Sequence, residues 1–468
     1  SLATIYIFLT ITQTFFQNNL FTLCHLIYTD TFYMKRKWIR WVSWILLTPI
    51  ILFVILMVLL YVPPVQNLLR REVTAYASKA TGMQIQVERI DLRFPLNLLV
   101  RGVEVIQQPD TLLSLESLNV RVQAWPLIKG KVEVDEVTLS RVAVNSADLM
   151  EGMKIKGVLG RFFLQSHGVD LSNEVAVINQ VELSDTHVQL LMNDTTTTPK
   201  DTTASAPINW KVALHQLKLK NVSFSMQLPA DSMRMATHIG EAAIDDAQAD
   251  LKNQYYDLKK FLLSGTSASY DTGTAEPAEG FDASHIAVRD IRIALDSLLY
   301  KGRDMNAVIR EFTMNERSGL SVTSLTGRAY SNDSVICVPG LKLNTPHSEI
   351  DLSAHTYWEL VNIPTTGRLS ARLNAYIGKE DVMLFAGGLP ESFKGAYPFR
   401  PLVIRAGTDG NLKEMQISRF TVDLPGAFAL EGGGLLENLA DSLTRTGTIG
   451  LKMTTQNLNF LTALSGEA

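Results

Sequence analysis

The sequence predicts a mostly β protein, in which a transmembrane helix and a short amphipathic helix precede an elongated, curved, repetitive antiparallel β-sheet. Three observations support this fold class. Residues 42–62 form an apolar run of 21 residues without a charged side chain. After Gly82, apolar residues recur at every second position, which is the period of a β-strand. One spacing of apolar positions then recurs in separate segments of the chain.

The composition excludes several classes of protein. The chain has 468 residues, 43 basic and 47 acidic, and a net charge of −4, which argues against a general nucleic-acid binder. A hydrophobic content of 46% is too high for a disordered protein. Two cysteines, Cys24 and Cys337, exclude a disulfide-rich scaffold and a Cys-based zinc finger. The length suits about two to four ordinary domains or one elongated repetitive domain.

The run at residues 42–62 is long enough to cross a membrane. At about 1.5 Å per residue it spans a hydrocarbon core of about 30 Å. A buried helix of a soluble protein is the alternative, but no helical face of this segment is polar. Ala75-Tyr76-Ala77 resembles a signal-peptidase site, although it lies well beyond the apolar run. We therefore favour an uncleaved signal anchor over a cleaved signal peptide.

Basic residues on one side of this run predict its orientation. Lys35, Arg36, Lys37 and Arg40 lie in a basic stub at residues 34–41, before the apolar run. The positive-inside rule then places the stub in the cytoplasm and the rest of the chain on the other side of the membrane.

The first 33 residues differ in character from the basic stub and the apolar run. They contain no Lys or Arg, and polar residues interrupt their apolar runs. Met34 and the basic residues after it have the character of a natural start. Our hypothesis is that residues 1–33 are a non-native upstream extension.

The sequence predicts a short helix at residues 63–82. Leu68, Leu69, Val73 and Tyr76 fall at helical spacing, and Thr81-Gly82 provides a helix end. Residues 83–468 then form the predicted β-repeat region. Within this region, residues 146–159 and 247–261 are the best helix candidates, on a weak pattern.

The β-repeat region contains apolar residues at a spacing of 2-3-2-3-2. Two segments match it in full, with apolar residues at Val132, Val134, Val137, Leu139, Val142, Val144 and at Val212, Leu214, Leu217, Leu219, Val222, Phe224. A step of three reverses the face of a strand unless an extra residue is absorbed by a bulge or a tight turn. The expected places are Asp135-Glu136 and Ser140-Arg141. Repeated bulges predict a strongly curved sheet with one continuous apolar face.

Two polar stretches interrupt this pattern, at residues 193–207 and 270–282. We interpret both as disordered loops at strand ends. The alternative is that they are linkers between domains.

Motifs for chemistry are missing from the sequence. It has no P-loop, no nucleophile elbow, no H-E-x-x-H motif and no dinucleotide fingerprint. His347 and His355, with acidic residues between them, are better explained as solvated strand residues than as a metal site. We therefore expect no catalytic, cofactor-binding or metal-binding residues, and no enzyme.

The order of features resembles a known family. A basic stub and anchor lead into a helix ending in KATGMQIQVERIDL, followed by LVRGVEVIQQPDTLLSLESLNVRVQAWPLIKGKVEVDEVTLSRVAV. This resembles the AsmA-like superfamily, and most of all the N-terminal region of proteins of the translocation and assembly module (TamB) type. The likeness covers Met34 to about Asn145, and later segments such as GLKLNTPHSEIDLSA read like further repeats of the family.

The resemblance implies a groove shaped like a folded taco, anchored in the inner membrane with its bulk in the periplasm. It implies phospholipid transport between the inner and outer membranes and a role in outer-membrane biogenesis. The expected partners are phospholipid acyl chains, the inner membrane and an outer-membrane barrel protein. Our candidates for the wall of the lipid groove are Val137, Leu139, Leu217 and Leu219, which lie at the centres of the two matched repeats.

Two other functions stay open. The chain is alternatively a periplasmic scaffold that assists the assembly or translocation of outer-membrane proteins with a barrel partner. A third possibility is an enzyme or sensor domain on a membrane stalk.

Overall fold

The computed structural model describes residues 61–93, 96–107, 110–123, 133–146, 152–170, 173–192 and 209–464, with a few isolated residues between 44 and 58. The chain divides after Val65 into two compact units. Residues 1–33 and the stub with Lys35, Arg36, Lys37 and Arg40 lie outside the described residues. The predictions for those segments therefore remain predictions.

Most of the predicted transmembrane segment, residues 42–62, also lies outside the described residues. The isolated residues that are described there, between Trp44 and Val58, are helical. Within the described part of the chain, no helix has both the length and the apolar character needed to cross a bilayer. The transmembrane helix thus stays a prediction from the sequence.

Helix α1 spans Pro63–Thr81, where the sequence predicts a short helix. Gly82 follows it in the left-handed region, with φ at 71°, which is a common way to end a helix. The side chains of Gln66, Arg70 and Ser78 donate hydrogen bonds to backbone carbonyls of the next element, strand β1 (Gln84–Arg93). Of the apolar residues predicted at helical spacing, Leu68, Val73 and Tyr76 are exposed, Tyr76 by 72%.

Twenty strands form a single sheet, so the mostly β fold class is confirmed. The strands after β1 are β2 (Asn97–Gln107), β3 (Asp110–Val122), β4 (Val134–Asn145), β5 (Met153–Asp170), β6 (Val175–Met192), β7 (Lys211–Leu228), β8 (Met233–Asp250), β9 (Tyr255–Asp271), β10 (His285–Lys301), β11 (Asp304–Glu316), β12 (Ser321–Val322), β13 (Ser324–Ser331), β14 (Val335–Asn344), β15 (Glu349–Tyr357), β16 (Leu369–Ile377), β17 (Leu402–Gly410), β18 (Glu414–Leu424), β19 (Phe428–Glu437) and β20 (Thr446–Thr455).

The strands follow one another across the sheet in chain order. Each pairs with its neighbours antiparallel, apart from the parallel pair β6–β7. The two-residue strand β12 pairs with the end of β11, and β11 pairs along most of its length with β13. Among the described residues β1 pairs with β2 alone and β20 with β19 alone, so the curved sheet does not close.

Two expectations about the β-repeat region were wrong. Residues 153–159 and 255–261 are strand, in β5 and β9, and 247–250 end β8, so neither helix candidate is a helix there. Pairing on both sides of each strand outweighs the weak helical pattern. Residues 270 and 271 end β9, and further along the Phe281 N–H donates a hydrogen bond to the Leu384 carbonyl; the disorder expected for 270–282 stays a prediction. The other expected loop, residues 193–207, lies outside the described residues.

The described residues after β15 contain four short helices, of which the last three pack near the end of β17–β19. They are α2 (Trp358–Asn362), α3 (Lys379–Leu384), α4 (Glu391–Ala396) and α5 (Asn459–Thr462). Phe393, Tyr397 and Phe460 meet there with ring centroids 5.5–5.9 Å apart, together with the buried residues Leu424 and Ala427. This is a hydrophobic core cluster of ordinary, fully buried type in a molecule whose sheet is otherwise mostly half-buried.

Candidate functional site

One row of apolar side chains runs across the sheet, perpendicular to the strands. Residues directly paired between neighbouring strands point to the same face. From β1 to β11 the paired residues of this row are Leu92, Leu98, Val120, Val137, Leu164, Val181, Leu217, Ile244, Phe261, Leu295 and Ile309. No polar residue interrupts them.

The same row continues through the second half of the sheet. From β13 to β20 it consists of Gly327, Leu341, Leu352, Leu373, Ala406, Phe420, Gly432 and Leu451. We call the face that carries this row the apolar face. At about 4.8 Å per strand, nineteen strands make the row roughly 85 Å long along its contour.

A second apolar row runs beside the first, two residues away from it along the strands. From β1 to β11 it contains Ile90, Val100, Leu118, Leu139, Phe162, Leu183, Leu219, Ala242, Leu263, Ile293 and Phe312. The four groove candidates therefore lie together. Val137 and Leu217 belong to the first row, and Leu139 and Leu219 to the second.

The opposite face of the same strands is mostly polar beside these rows, although the row directly between them, Thr138, Phe163, Glu182, Lys218, Ala243 and Leu262, is half apolar. Two rows of this face on β4–β9 have no apolar member. One consists of Ser140, Arg161, Ser184, Lys220, Glu241 and Ser264, and the other of Glu136, Gln165, Gln180, Gln216, Asp245 and Lys260. Such alternation is typical of a sheet with water on one side and an apolar environment on the other.

The apolar face has no second protein layer over its centre. The four groove candidates are half-buried rather than buried, although each has strand neighbours on both sides. Further along the same strands, Phe224, Tyr256 and Leu298 are each 41% exposed. In a closed core, side chains at such central positions are usually fully buried. The face is thus an uncovered apolar surface within the described part of the chain.

Residues with a left-handed backbone explain how a strand takes a step of three between apolar positions and still keeps them on one face. Arg141, Asp185 and Asn221 have φ of 46–54°, at the step that follows the second apolar row, and Asp290 has φ of 55° one step further along β10. The extra position is absorbed there, as the sequence predicted for Ser140-Arg141. The register also shifts between Arg121 and Val122, opposite the other predicted position, Asp135.

These residues line up across the sheet. Facing positions on β1–β9 are Glu88, Gly102, Glu116, Arg141, Gly160, Asp185, Asn221, Gly240 and Gly265. We call this line the first polar seam. Arg141 pairs with Glu116, and the Asn221 amide donates to Asp185 Oδ1 at 2.7 Å. A Cβ atom on Gly240 would lie 2.7 Å from the carbonyl oxygen of Gly265, so this position requires glycine.

A second polar seam runs parallel to the first and lies six residues away from it along each strand. On β6–β9 it consists of Asn179, His215, Asp246 and Lys259, facing one another. His215 Nδ1 lies 3.0 Å from Asp246 Oδ1, and Asp246 has φ of 52°. The two rows of groove candidates lie between the two seams. The seams are therefore the bends that curve each strand around the apolar face.

A cap segment, residues 378–401, crosses one end of the strands between β16 and β17. The Phe281 backbone N–H donates to the Leu384 carbonyl at 2.7 Å, and the rings of Phe281 and Phe385 lie 5.5 Å apart. Lys394 Nζ lies 3.1 Å from Glu279 Oε2, across a long interval of sequence. The cap segment thus joins the loop after β9 to the end of β16, although six strands separate them in the sheet.

The loop after β9 has one strongly perturbed carboxyl group. The backbone N–H of Ala278, the side chain of His285 and the backbone N–H of Ser284 lower the pKa of Asp282 to about 2. Among the described residues no three His, Cys, Asp or Glu side chains are grouped so as to hold a metal ion. The arrangement that the structure does assemble is apolar and extended.

Sequence reasoning found the two central rows on β4 and β7 but missed the seams and the cap segment. A signal for the seams was present in the sequence. Small or polar residues recur six apart at 135 and 141, 179 and 185, 215 and 221, and 240 and 246. The cap segment gives no comparable signal, because its partners lie far away in sequence.

Comparison with known proteins found no family model that matches the chain and no curated protein with significant similarity to it.

Proposed function

We propose that this protein carries phospholipid between the inner and outer membranes along its apolar face, and so serves outer-membrane biogenesis. The observation that supports this is the uninterrupted apolar row from β1 to β20 on an uncovered face. We place the chain, on its resemblance, in the AsmA-like superfamily, near the TamB type. The 42–62 segment is its proposed anchor in the inner membrane, with the N-terminus in the cytoplasm and the sheet in the periplasm.

Acyl chains suit such a face for a thermodynamic reason. Removing a CH₂ group from water is worth about 0.8 kcal/mol, so a sixteen-carbon chain gains on the order of 12 kcal/mol. The ligand also covers protein side chains that would otherwise stay exposed. Because every strand offers equivalent apolar contacts, a chain can move from strand to strand without crossing a polar row. Transport of this kind needs no reacting groups.

A second candidate function rests on the edge strand β20. All ten of its residues are exposed, and among the described residues it pairs with β19 alone. The other edge differs, because side chains of α1 bond to the backbone of β1. A free edge can accept a strand of another protein by β-augmentation. This favours the alternative of a periplasmic scaffold for an outer-membrane barrel partner.

Photocrosslinking in living cells tests the lipid proposal. A photoreactive residue at Val137, Leu139, Leu217 or Leu219 should capture phospholipid. The same residue at Lys218 or Thr138, on the opposite face of β7 and β4, is the matched control and should capture none. Leu139→Asp and Leu219→Asp should keep the fold, since water reaches an uncovered face, but should block lipid passage.

The opposite pattern would end the proposal. If none of the four positions yields a lipid adduct and both Asp variants unfold, the apolar face is an ordinary core. Adducts with a protein at β20 alone would favour the scaffold.

A further inference from the structure

A hollow of about 640 Å³ lies on strands β6–β10, beyond the first polar seam. It is lined mainly by residues that alternate with the apolar positions. His187, Ser223 and His238 are paired in sequence across β6, β7 and β8, and Ser267 on β9 pairs with His238. Arg289 follows Val288, the β10 partner of Ala268, and so continues this line. Most lining side chains therefore point to the face opposite Phe224 and Val288, although these two residues also line the hollow.

Its floor is made of small side chains and its sides of hydrogen-bond donors. Ser225, Ser269 and Ala287 form the next line of the lining, which ends at Arg317, whose backbone N–H donates to the Ala287 carbonyl at 2.9 Å. The Ser223 hydroxyl lies 3.0 Å from His238 Nδ1. With Ser223 donating to that atom, the other ring nitrogen of His238 carries the proton and can donate to a ligand.

The charge of the lining has one sign. Arg289 and Arg317 are both exposed guanidinium groups, and none of the described residues that line the hollow is Asp or Glu. Neighbouring strands are about 4.8 Å apart, so His187 and His238 are about 9.6 Å apart at their backbones, on either side of Ser223. Arginine is the side chain best suited to bind phosphate oxygens in pairs.

We propose that this hollow binds a phosphate-bearing ligand, with Arg289 as its principal cation and the His187 and His238 rings as donors. The volume is in the range of organic ligand sites, so it accepts a phosphate ester and not only the free ion. The site lies on the other face from the lipid rows and does not depend on them. The phosphate belongs either to a lipid head group or to a soluble compound, and the ligand chemistry is the same in both cases.

Calorimetric titration of the purified full chain tests this site. The probes are inorganic phosphate, dihexanoyl phosphatidylglycerol below its micellar concentration, and dihexanoylglycerol, which has the same tails without phosphate. Arg289→Gln should weaken binding of the phosphate probes about tenfold, as expected for loss of a charged hydrogen bond. Arg292→Gln removes the same charge from the same strand outside the hollow and should change binding less than about twofold.

A substitution that leaves the net charge unchanged separates loss of the site from a purely electrostatic effect on binding. Ser267→Gln should fill the floor beneath Arg289 and abolish binding of both phosphate probes, with an unchanged thermal midpoint. Saturable binding of inorganic phosphate would assign a soluble ligand, and binding of the phospholipid alone, still dependent on Arg289, a head group. Equal affinities in Arg289→Gln and Arg292→Gln, or no saturable binding of either phosphate probe, would overturn the proposal.

Discussion

At the scale of the residue, the curvature of the sheet depends on side chains that tolerate a left-handed backbone. Asp185, Asn221 and Asp290 have φ of 51–55° in the middle of long strands. Asn and Asp reach this region more easily than other residues with a side chain, and β-branched residues avoid it. Their polarity is a consequence of the bend and not a sign of chemistry.

Asn221→Val should therefore destabilise the protein by about 1–2 kcal/mol, because a β-branched residue is strained at this φ. Asn221→Gly should lose less than about 1 kcal/mol, since glycine accepts the conformation and loses only the hydrogen bond to Asp185. Unfolding in urea, followed by circular dichroism, measures both. Lys220→Val, one residue earlier and outside the left-handed region, is the control and should be nearly neutral. If Asn221→Val and Asn221→Gly lost the same free energy of unfolding, the hydrogen bond would explain the loss and the left-handed backbone would not.

At the scale of the element, the loop after β9 and the cap segment hold each other in place. The loop is polar in sequence, yet the Asp282 carboxylate organises it by accepting hydrogen bonds from Ala278, Ser284 and His285. That order presents Phe281 to Phe385 and Glu279 to Lys394. A close approach of the Glu279 carbonyl to Gly387, where a Cβ atom would lie 1.9 Å away, completes the contact.

The lowered pKa of Asp282 predicts how this contact responds to acid. A carboxyl group whose pKa falls from 3.8 to about 2 on folding stabilises the folded state above about pH 4 and loses that effect as pH falls through about 2. The difference in unfolding free energy between the native chain and Asp282→Asn should be constant from pH 6 to about pH 4. It should shrink towards pH 2. Urea midpoints over this range measure it, and a difference that does not change with pH would contradict the assignment.

At the scale of the whole molecule, the sheet is a single layer with unlike faces. Strand pairing continues from β1 to β20 without closure. Within the described residues, its apolar face remains uncovered except where the short helices form the cluster around Phe393 and Leu424. A protein of this form gains stability from pairing between neighbouring strands and leaves apolar surface available for a ligand.

The proposed topology is testable at this scale. A reporter that is active only outside the cytoplasm, fused after Ala468, should be active, and a reporter that needs the cytoplasm should be silent. The reason is the cluster Lys35, Arg36, Lys37 and Arg40 before the apolar segment. Replacing all four by Gln is the control and should reduce the asymmetry. The reverse pattern of activity would overturn the orientation.

The sequence by itself determined the β class, the helix at 63–81 and the alternation that puts Val137, Leu139, Leu217 and Leu219 on one face. These features depend on local periodicity, which a chain carries within a few residues of each position. It also indicated bends near Asp135 and Arg141, since a step of three has few structural solutions.

Tertiary structure alone decided which residues face one another across the strands. In-register pairing assembled the apolar row, the two polar seams and the hollow on β6–β10 from residues on many strands, and that register depends on the pairing of the whole sheet. The same holds for the cap segment, whose partners Phe281 and Glu279 are about a hundred residues away in sequence. Contacts over such distances in sequence leave no local pattern, because they form only when the curved sheet brings the loop after β9 close to the end of β16.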